Sequence, residues 1–213
     1  MTPTPAGAMV FIVDDDPSVR KSLMRVVTSA GYAAEDFASA QQFLARPPFV
    51  GPSCLVLDVR MPGLTGPDLQ ETLAGATHRI PIVFVTAHGD IPMSVKAMRT
   101  GAVDFLTKPF EPDSLLQAIE RALTKDVRDL SEEGRTTEVV RRVKRLTPRE
   151  MQVFALVVTG MLNKQVAGVL GIGEKTIKVH RARVMEKMGA RSLAELVRLA
   201  DRAGVVVPES RAR

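Results

Sequence analysis

Side chains that can bind metal ions or phosphate follow four short apolar segments of this sequence. The segments are residues 10–13, 54–57, 82–85 and 102–106. The side chains at or just beyond their ends are carboxylates, a hydroxyl and an ammonium: Asp14, Asp15, Asp16, Asp58, Thr86 and Lys108. In an open parallel α/β sheet, ligands bind at the edge formed by the carboxyl ends of the strands. If the four segments are strands of such a sheet, these groups meet at one site.

Carboxylates gathered at one site restrict its chemistry, because two like charges 4 Å apart repel by roughly 4 kcal/mol at an effective dielectric constant of about 20. A protonated acid or a bound hard cation relieves this repulsion, and oxygen ligands suit Mg²⁺. A carboxylate beside Mg²⁺ can attack a phosphoryl group and form an aspartyl phosphate. Lys108 would counter the added charge, and the Thr86 hydroxyl could donate a hydrogen bond to it. The alternative is that these acids only cap helices and keep loops soluble.

Residues 9–125 alternate between short apolar runs and segments with helical spacing. The predicted strands are 10–13, 32–37, 54–57, 82–85 and 102–106. The predicted helices are 19–27 and about 39–44, 67–73, 92–100 and 111–125. This alternation indicates an α/β domain with a doubly wound, flavodoxin-like, five-stranded parallel sheet of order 2-1-3-4-5. The first and third strands are neighbours in this order, which places Asp14 and Asp15 beside Asp58.

The sequence changes character after residue 125. Residues 126–145 are strongly charged and poor in large apolar side chains, so we predict a linker whose start can continue the preceding helix. Beyond it, Thr147, Pro148 and Glu150 supply a helix cap, a first-turn proline and a capping-box acid. Helices at about 148–158, 164–170, 174–188 and 193–202 predict an all-α four-helix domain. The predicted domains are therefore 1–125 and 146–213.

Charge is distributed unevenly along the chain, whose net charge is +5. Residues 1–125 contain 11 basic and 13 acidic residues, and residues 126–145 contain 6 and 5. Residues 146–213 contain 12 basic and 6 acidic residues, a net charge of +6. The last third is therefore the candidate for binding a polyanion.

Targeting features are absent from the sequence. It has no run of about 18 or more apolar residues, so we expect no membrane span. The first nine residues lack the pattern of a secretory signal. Cys54, the only cysteine, is expected to be a buried apolar residue in a reducing cytoplasm. We therefore expect a cytoplasmic protein.

The segment 164–188 predicts a helix, a turn and a second helix. On a helical wheel Ile177, Val184 and Met188 form an apolar stripe, and basic residues lie mainly on the opposite side. A helix with an apolar back and a basic front can lie in the major groove of DNA. For this helix alone, the alternative is a solvated amphipathic surface helix. His180 lies at the margin of the stripe and could pack against it or contact a phosphate, and we favour packing.

Four phrases in residues 9–125 resemble the receiver domain of two-component response regulators. They are Val13-Asp14-Asp15, Leu57-Asp58-Val59-Arg60-Met61-Pro62-Gly63, Thr86-Ala87-His88-Gly89-Asp90 and Lys108-Pro109-Phe110. The resemblance implies that Asp58 accepts a phosphoryl group from a histidine of a sensor kinase. It also implies that Asp15, Asp58 and the backbone carbonyl of Arg60 bind Mg²⁺ directly, while Asp14 acts mostly through water. Asp16 matches a variable family position and is left out of the metal set.

The same resemblance assigns a switch. Thr86 and Phe105 match the hydroxyl and aromatic positions that reorient on phosphorylation, and Phe105 can rotate but cannot donate a hydrogen bond. Lys108 matches the lysine of the phosphorylation site, and its bond to Pro109 matches one that is typically cis. His88 lies in the third phrase and is expected to be a surface or hydrogen-bonding residue rather than a catalytic one.

Three phrases in residues 146–203 resemble the LuxR-type helix-turn-helix. They are Leu146-Thr147-Pro148-Arg149-Glu150, Asn163-Lys164-Gln165-Val166-Ala167 and Glu174-Lys175-Thr176-Ile177-Lys178-Val179-His180-Arg181. With the receiver upstream, the chain is similar to the FixJ/NarL class of transcription regulators. The resemblance implies that Glu174–Met188 is the recognition helix and that Lys178 and Val179 face bases. The residues expected to contact phosphates are Lys175, Thr176 and Arg183.

The combined resemblance implies a phosphorylation-dependent, DNA-binding transcription regulator rather than an enzyme. The implied partners are a sensor histidine kinase, double-stranded promoter DNA, RNA polymerase and, on phosphorylation, a second copy of the chain. Three alternatives remain open. A haloacid-dehalogenase-like phosphatase needs a second acid where this chain has Arg60. A LuxR-type regulator that senses a small molecule is disfavoured by the acid, threonine and lysine set. A receiver that regulates by protein contact would carry a helical domain that does not bind DNA.

Overall fold

The computed structural model of the chain describes residues 5, 7–75, 79–87 and 91–205, and only the backbone at 91–93. The chain divides into two compact units, Met1–Ser131 and Glu132–Arg213. This division falls inside the segment predicted to be a linker, and the predicted domain limits stay a prediction. Among the described residues, no helix combines the length and the apolar character needed to cross a membrane.

The first unit contains a five-stranded parallel sheet, which confirms the predicted α/β fold. Its strands are β1 Met9–Val13, β2 Ala33–Phe37, β3 Ser53–Asp58, β4 Ile82–Thr86 and β5 Asp104–Thr107. Their order in the sheet is β2-β1-β3-β4-β5, as predicted. All four strand pairs are parallel, so every strand ends at the same edge. Because β1 pairs with β3, the residues that follow these two strands become neighbours.

Helices connect the strands. They are α1 Pro17–Ser29, α2 Ala40–Ala45, α3 Gly66–Ala74, α4 Ile91–Arg99 and α5 Pro112–Lys144. Local sequence sets where they begin: the Asp16 side chain caps α1 by accepting from the backbone amides of Ser18 and Val19. Thr65 and Asp68 form a capping box at the start of α3.

The sheet has an apolar cluster on each face because successive side chains of a strand point to opposite sides. On one face, Val10 and Ile12 of β1 belong to a cluster that includes residues of α1 and α5. On the other face, Phe11 and Val13 belong to a cluster that includes residues of α2, α3 and α4. Every residue of β3 is buried, as expected for a central strand covered on both faces.

Helix α5 is longer than the sequence predicts. It extends to Lys144, so residues 126–144 are helical and not only at their start. Oppositely charged side chains three or four residues apart, such as Lys125 with Asp129 and Arg142 with Glu138, stabilise this charged helix. The prediction from apolar content also missed that Val139 is buried in the core of the second unit. The charged segment therefore supplies an apolar contact to that core.

The second unit confirms the predicted four-helix domain. Besides the C-terminal end of α5, its helices are α6 Pro148–Val157, α7 Asn163–Leu170, α8 Glu174–Met188 and α9 Leu193–Arg202. The core is built from one or more buried residues of each helix, among them Phe154, Val166, Ile177, Val184 and Leu196. The turn between α7 and α8 uses Gly171 in the left-handed region, at φ 65°, which glycine adopts without steric cost.

A partly buried ion pair joins α6 to α8. The Glu150 carboxylate caps α6 by accepting from the Thr147 backbone amide at 2.8 Å, and Lys187 Nζ donates to the same carboxylate oxygen at 2.6 Å. The hydrogen bond from Lys187, followed by that from Thr147, lowers the pKa of Glu150 to about 2. One acid therefore fixes the start of α6 and attaches α8 to it.

A glycine allows α3 to approach the end of β3. Gly66 begins α3, and its backbone amide donates to the Val59 carbonyl at 3.1 Å. A Cβ atom at this position would clash with the carbonyl oxygen of Asp58 and lie 3.0 Å from both the Phe84 ring and the Val59 Cα. These neighbours are backbone and a buried ring, so they cannot move aside easily.

We expect Gly66→Ala to destabilise the first unit by about 1–3 kcal/mol, the usual range for overpacking. The matched control is Gly75→Ala at the other end of α3, where a Cβ atom would meet its nearest neighbour at 3.8 Å. Thermal unfolding of the full-length chain, monitored by circular dichroism, measures the melting temperature of both variants. Equal melting temperatures for the two variants would contradict the close approach.

Candidate functional site

The predicted acidic site forms at the edge where the parallel strands end. Asp14 directly follows β1, and Asp58 is the last residue of the neighbouring strand β3. Thr86 ends β4, and Lys108 directly follows β5. The sheet order therefore brings a hydroxyl and an ammonium to the edge that holds the two acids, as the sequence predicts.

Lys108 bridges two buried carboxylates. Its Nζ atom donates to Asp14 Oδ2 at 2.6 Å and to Asp58 Oδ1 at 2.9 Å. The exposed fractions of Asp14 and Asp58 are 1% and 6%, so both ion pairs are largely shielded from water. Burial opposes the charged ammonium, but the hydrogen bonds to the two carboxylates outweigh it and raise the pKa of Lys108. Lys108 therefore remains a cation between the two acids.

The second oxygen of Asp58 is held by the backbone. Oδ2 accepts from the Arg60 amide at 2.7 Å, which fixes the plane of the carboxylate. Burial raises the pKa of Asp58, while the hydrogen bond and charge of Lys108 oppose that rise. Asp14 is oriented in a similar way, because its Oδ1 accepts from the Asp16 amide at 2.9 Å. Both acids are therefore positioned before any ligand arrives.

The three predicted metal-binding acids do not form one cluster. Asp14 and Asp58 share Lys108, whereas Asp15 is exposed. Over residues 7–75, 79–87 and 91–205, no group of three or more acidic, histidine or cysteine side chains is arranged to hold a metal ion. The donor atoms nonetheless suit Mg²⁺, which prefers oxygen and often takes only one or two carboxylates together with waters and phosphate oxygens. The residues present thus fit Mg²⁺ by chemistry, with few protein ligands.

The two predicted switch residues lie on β4 and β5. Thr86 is buried at the end of β4, and its backbone carbonyl accepts from the Lys108 amide at 2.7 Å. Phe105 of β5 is partly buried, with its ring centroid 6.3 Å from that of Phe84. The Lys108–Pro109 peptide bond is cis, as the resemblance implies. His88 lies outside the described residues.

One residue of the site was missed by the reasoning from sequence. Arg20 of α1 donates from Nη1 to the backbone carbonyls of Asp14 and Asp15 at 2.8 and 3.0 Å, and from Nε to Asp36 at 3.0 Å. It therefore holds the backbone of the acidic loop from the following helix. Its position in the first turn of α1, directly after the acids, is the signal that could have identified it.

In the second unit, α8 has the two faces that the sequence predicts. Ile177, Val184 and Met188 are buried. The predicted DNA-contacting residues are all exposed, and Val179 exposes half of its surface: Lys175, Thr176, Lys178, Val179 and Arg183. Among the described residues, the side chains of the three basic ones make no ion pair. Their charges therefore remain available to a polyanion.

Polar contacts join α8 to α7 and α7 to α6. Arg181 donates to Asn163 Oδ1 at 3.0 Å, which joins α8 to the start of α7. Arg149 of α6 donates to the Leu170 carbonyl at 3.0 Å, at the end of α7. His180 is partly buried, and within the described residues its buried Nδ1 has no hydrogen-bond partner. This environment agrees with the expected packing role of His180.

Comparison with protein families matches both units. Residues 10–120 match the response regulator receiver domain. Residues 144–200 match the bacterial regulatory proteins of the luxR family. The first match covers the acidic site, and the second covers all of α6, α7 and α8.

Individual relatives match along most of the chain. Nodulation protein W of Bradyrhizobium diazoefficiens is 48% identical over 93% of this chain and 87% of its own length. Transcriptional regulatory protein FixJ of the same organism is 44% identical over 92% of this chain and 96% of its own length. The structure of response regulator StyR is 48% identical, covers 92% of this chain and 100% of its own, and superposes with a TM-score of 0.80. The chain therefore belongs to the response regulators of two-component systems, as a transcription regulator with a receiver domain and a LuxR-type DNA-binding domain.

Proposed function

We propose that Asp58 is the residue of this regulator that receives the phosphoryl group of a sensor kinase histidine. The observation that carries the proposal is the bridge from Lys108 to Asp58 and Asp14. It holds a carboxylate and a cation side by side at the edge where ligands bind in a doubly wound sheet.

In the proposed transfer, a carboxylate oxygen of Asp58 attacks the phosphorus atom. The new bond is between oxygen and phosphorus, the bond from phosphorus to the imidazole nitrogen breaks, and its electron pair stays on the histidine. Lys108 neutralises charge on the transferred group, and the Thr86 hydroxyl donates a hydrogen bond to it. The Arg60 amide keeps Asp58 oriented during the attack.

Charge balance supports a divalent cation as the cofactor. Two carboxylates and one ammonium leave the buried site with a net negative charge, and an incoming phosphoryl group adds to it. Mg²⁺, when bound, supplies the compensating positive charge. Asp15, Asp58 and the Arg60 carbonyl would hold it directly, with Asp14 acting through water.

The assignment of Asp58 predicts that Asp58→Asn abolishes labelling by acetyl phosphate, and that labelling of the native chain requires Mg²⁺. Asp16→Asn is the matched control, because the asparagine side-chain oxygen can still accept hydrogen bonds from the backbone amides of Ser18 and Val19, as Asp16 does. This control should keep most of the labelling. Full labelling of Asp58→Asn, with the phosphate mapped to another residue, would refute the assignment. Labelling that needs no Mg²⁺ would refute the proposal that Mg²⁺ is the cofactor.

We further propose that phosphorylation promotes dimerisation through α4 and β5. Thr86 and Phe105 link this face to the phosphorylation site. Two large apolar side chains of α4, Val95 and Met98, are 43% and 46% exposed and so can be covered by a second copy. The switch requires that the phosphoryl group interact differently with two states of the receiver.

Sedimentation of the full-length chain at micromolar concentration tests the dimer. A phosphoryl mimic should convert monomer to dimer in the native chain, since it stabilises the receiver state that dimerises. The same mimic should leave Asp58→Asn unchanged. An unchanged mass of the native chain would count against the proposed switch.

The second unit is proposed to bind promoter DNA through α8, with Lys178 and Val179 at base edges. These two residues are exposed near the start of the helix, the part that reaches bases in helix-turn-helix proteins. Lys175, Thr176 and Arg183 would contact phosphates. Because promoter DNA and RNA polymerase share the bacterial cytoplasm, we place the protein there, with the polymerase as a further partner.

Variants of α8 should separate these roles. Lys178→Ala should weaken binding to the cognate site by about 1–3 kcal/mol and relax preference at one base position. Arg183→Ala should weaken binding to cognate and random DNA alike and reduce the salt slope by about one. Titrations of both variants with both DNAs at several salt concentrations measure this. If Lys178→Ala weakens random DNA as much as cognate DNA, Lys178 is a phosphate contact.

A further inference from the structure

The C-terminal part of α5 belongs to the same compact unit as α8. Residues 132–144 fall in the second unit, and Val139, 4% exposed, lies in its core cluster with Met188. The Glu132 carboxylate pairs with Arg202 of α9 at 2.9 Å. This part of α5 therefore packs as an additional helix of the DNA-binding unit.

Arg142 connects this helix to the end of α8. Its Nη1 atom donates to the carbonyl of Met188, the last residue of α8, at 3.0 Å. Its Nε atom donates to Glu138 Oε1 at 3.0 Å, one turn earlier on α5. The last carbonyls of a helix have no partner within that helix, and they attract cations. Arg142 satisfies one of them from outside, while Glu138 holds its guanidinium in place.

The residue after α8 leaves space for this contact. Gly189 ends the helix in the left-handed region at φ 65°, and a Cβ atom there would lie 2.9 Å from Arg142 Nη1. A second contact lies beside it, because Lys187 Nζ donates to the Arg145 carbonyl at 3.3 Å. Two hydrogen bonds therefore join residues 142–145 to the last turn of α8.

We infer that Arg142 is a positioning residue for DNA recognition, acting through α8 without touching DNA. It fixes the C-terminal end of α8 and thereby sets the depth and angle at which the exposed residues of that helix meet base edges. Base contacts need closely defined geometry, whereas phosphate contacts by long flexible side chains tolerate small shifts. Loss of Arg142 should therefore reduce sequence preference more than it reduces general DNA binding. The inference rests on the proposed function of α8.

The matched control is Arg141→Ala. Arg141 carries the same charge and pairs with the other oxygen of the same acid, Glu138 Oε2, at 3.0 Å, but its side chain is 71% exposed. The Arg141→Ala substitution therefore removes one positive charge but leaves the contact between Arg142 and α8 in place. Arg142→Met is the second variant at the test position, since it keeps an unbranched apolar stem while losing every donor.

The test uses the full-length protein and two duplexes, one selected in vitro by the native chain and one of scrambled sequence. We expect Arg142→Ala and Arg142→Met to weaken binding to the selected duplex about tenfold, the size of one lost base contact, and to the scrambled duplex less than about twofold. Arg141→Ala should change both by less than about twofold. Equal losses on the two duplexes, no loss on either, or the same loss in Arg141→Ala would overturn the inference.

A double-mutant cycle with Lys178→Ala separates this inference from the proposed function. If Arg142 acts by placing α8, its substitution should cost less preference once the base contact of Lys178 is gone. Where Lys178→Ala by itself reduces preference, additive effects would mean that Arg142 acts independently of base reading and would overturn the inference. If Lys178→Ala alone leaves preference unchanged, the proposed role of Lys178 is wrong. The inference about Arg142 is then tested by the binding of its variants to the two duplexes.

Discussion

A single ammonium group, that of Lys108, contacts two buried carboxylates that would otherwise repel each other. Asp14 and Asp58 come from neighbouring strands, and their close approach in a shielded environment is unfavourable without a cation between them. Lys108 follows β5, the strand at the far side of the sheet from β2. The charge balance of the site therefore depends on the complete strand order and not on a local motif.

This arrangement also explains why the site is oriented before any ligand binds. Each acid is held on one oxygen by Lys108 and on the other by a backbone amide, that of Arg60 or Asp16. The side chains therefore lose little further conformational entropy when a phosphoryl group arrives, which is the general advantage of preorganisation. The close approach of α3 at Gly66 adds a steric constraint on the same strand end.

The second unit divides its basic side chains into two roles. Arg142, Arg149 and Arg181 each donate to an acceptor on another helix and so hold the helices together. Lys175, Lys178 and Arg183 remain exposed on α8. Arginine suits the first role because its rigid, planar group presents several donors, so that Arg142 satisfies a helix-end carbonyl and an acid together. The net positive charge of this region therefore overstates the number of residues available to DNA.

The order of strands and helices, the chemistry at the strand ends and the two faces of α8 can all be predicted from the sequence. These features follow from local patterns: apolar runs of strand length, glycine and proline boundaries, and spacing on a helix. The limits of α7, α8 and α9 could be predicted to within a residue for the same reason. The helical state of residues 126–144 could not be predicted from the sequence. The composition of this segment is typical of linkers, but its charge pairs and the burial of Val139 stabilise the helix.

Which of the acids Lys108 contacts is set by the packing of distant elements, since Asp14 and Lys108 are 94 residues apart in the chain. The same holds for Arg20 on the acidic loop and Arg142 at the end of α8, whose partners are backbone carbonyls. A carbonyl group is present at every residue, so nothing in the side-chain sequence marks it as a partner. Its availability depends on where a helix or strand ends in space, and that is set by how the elements pack.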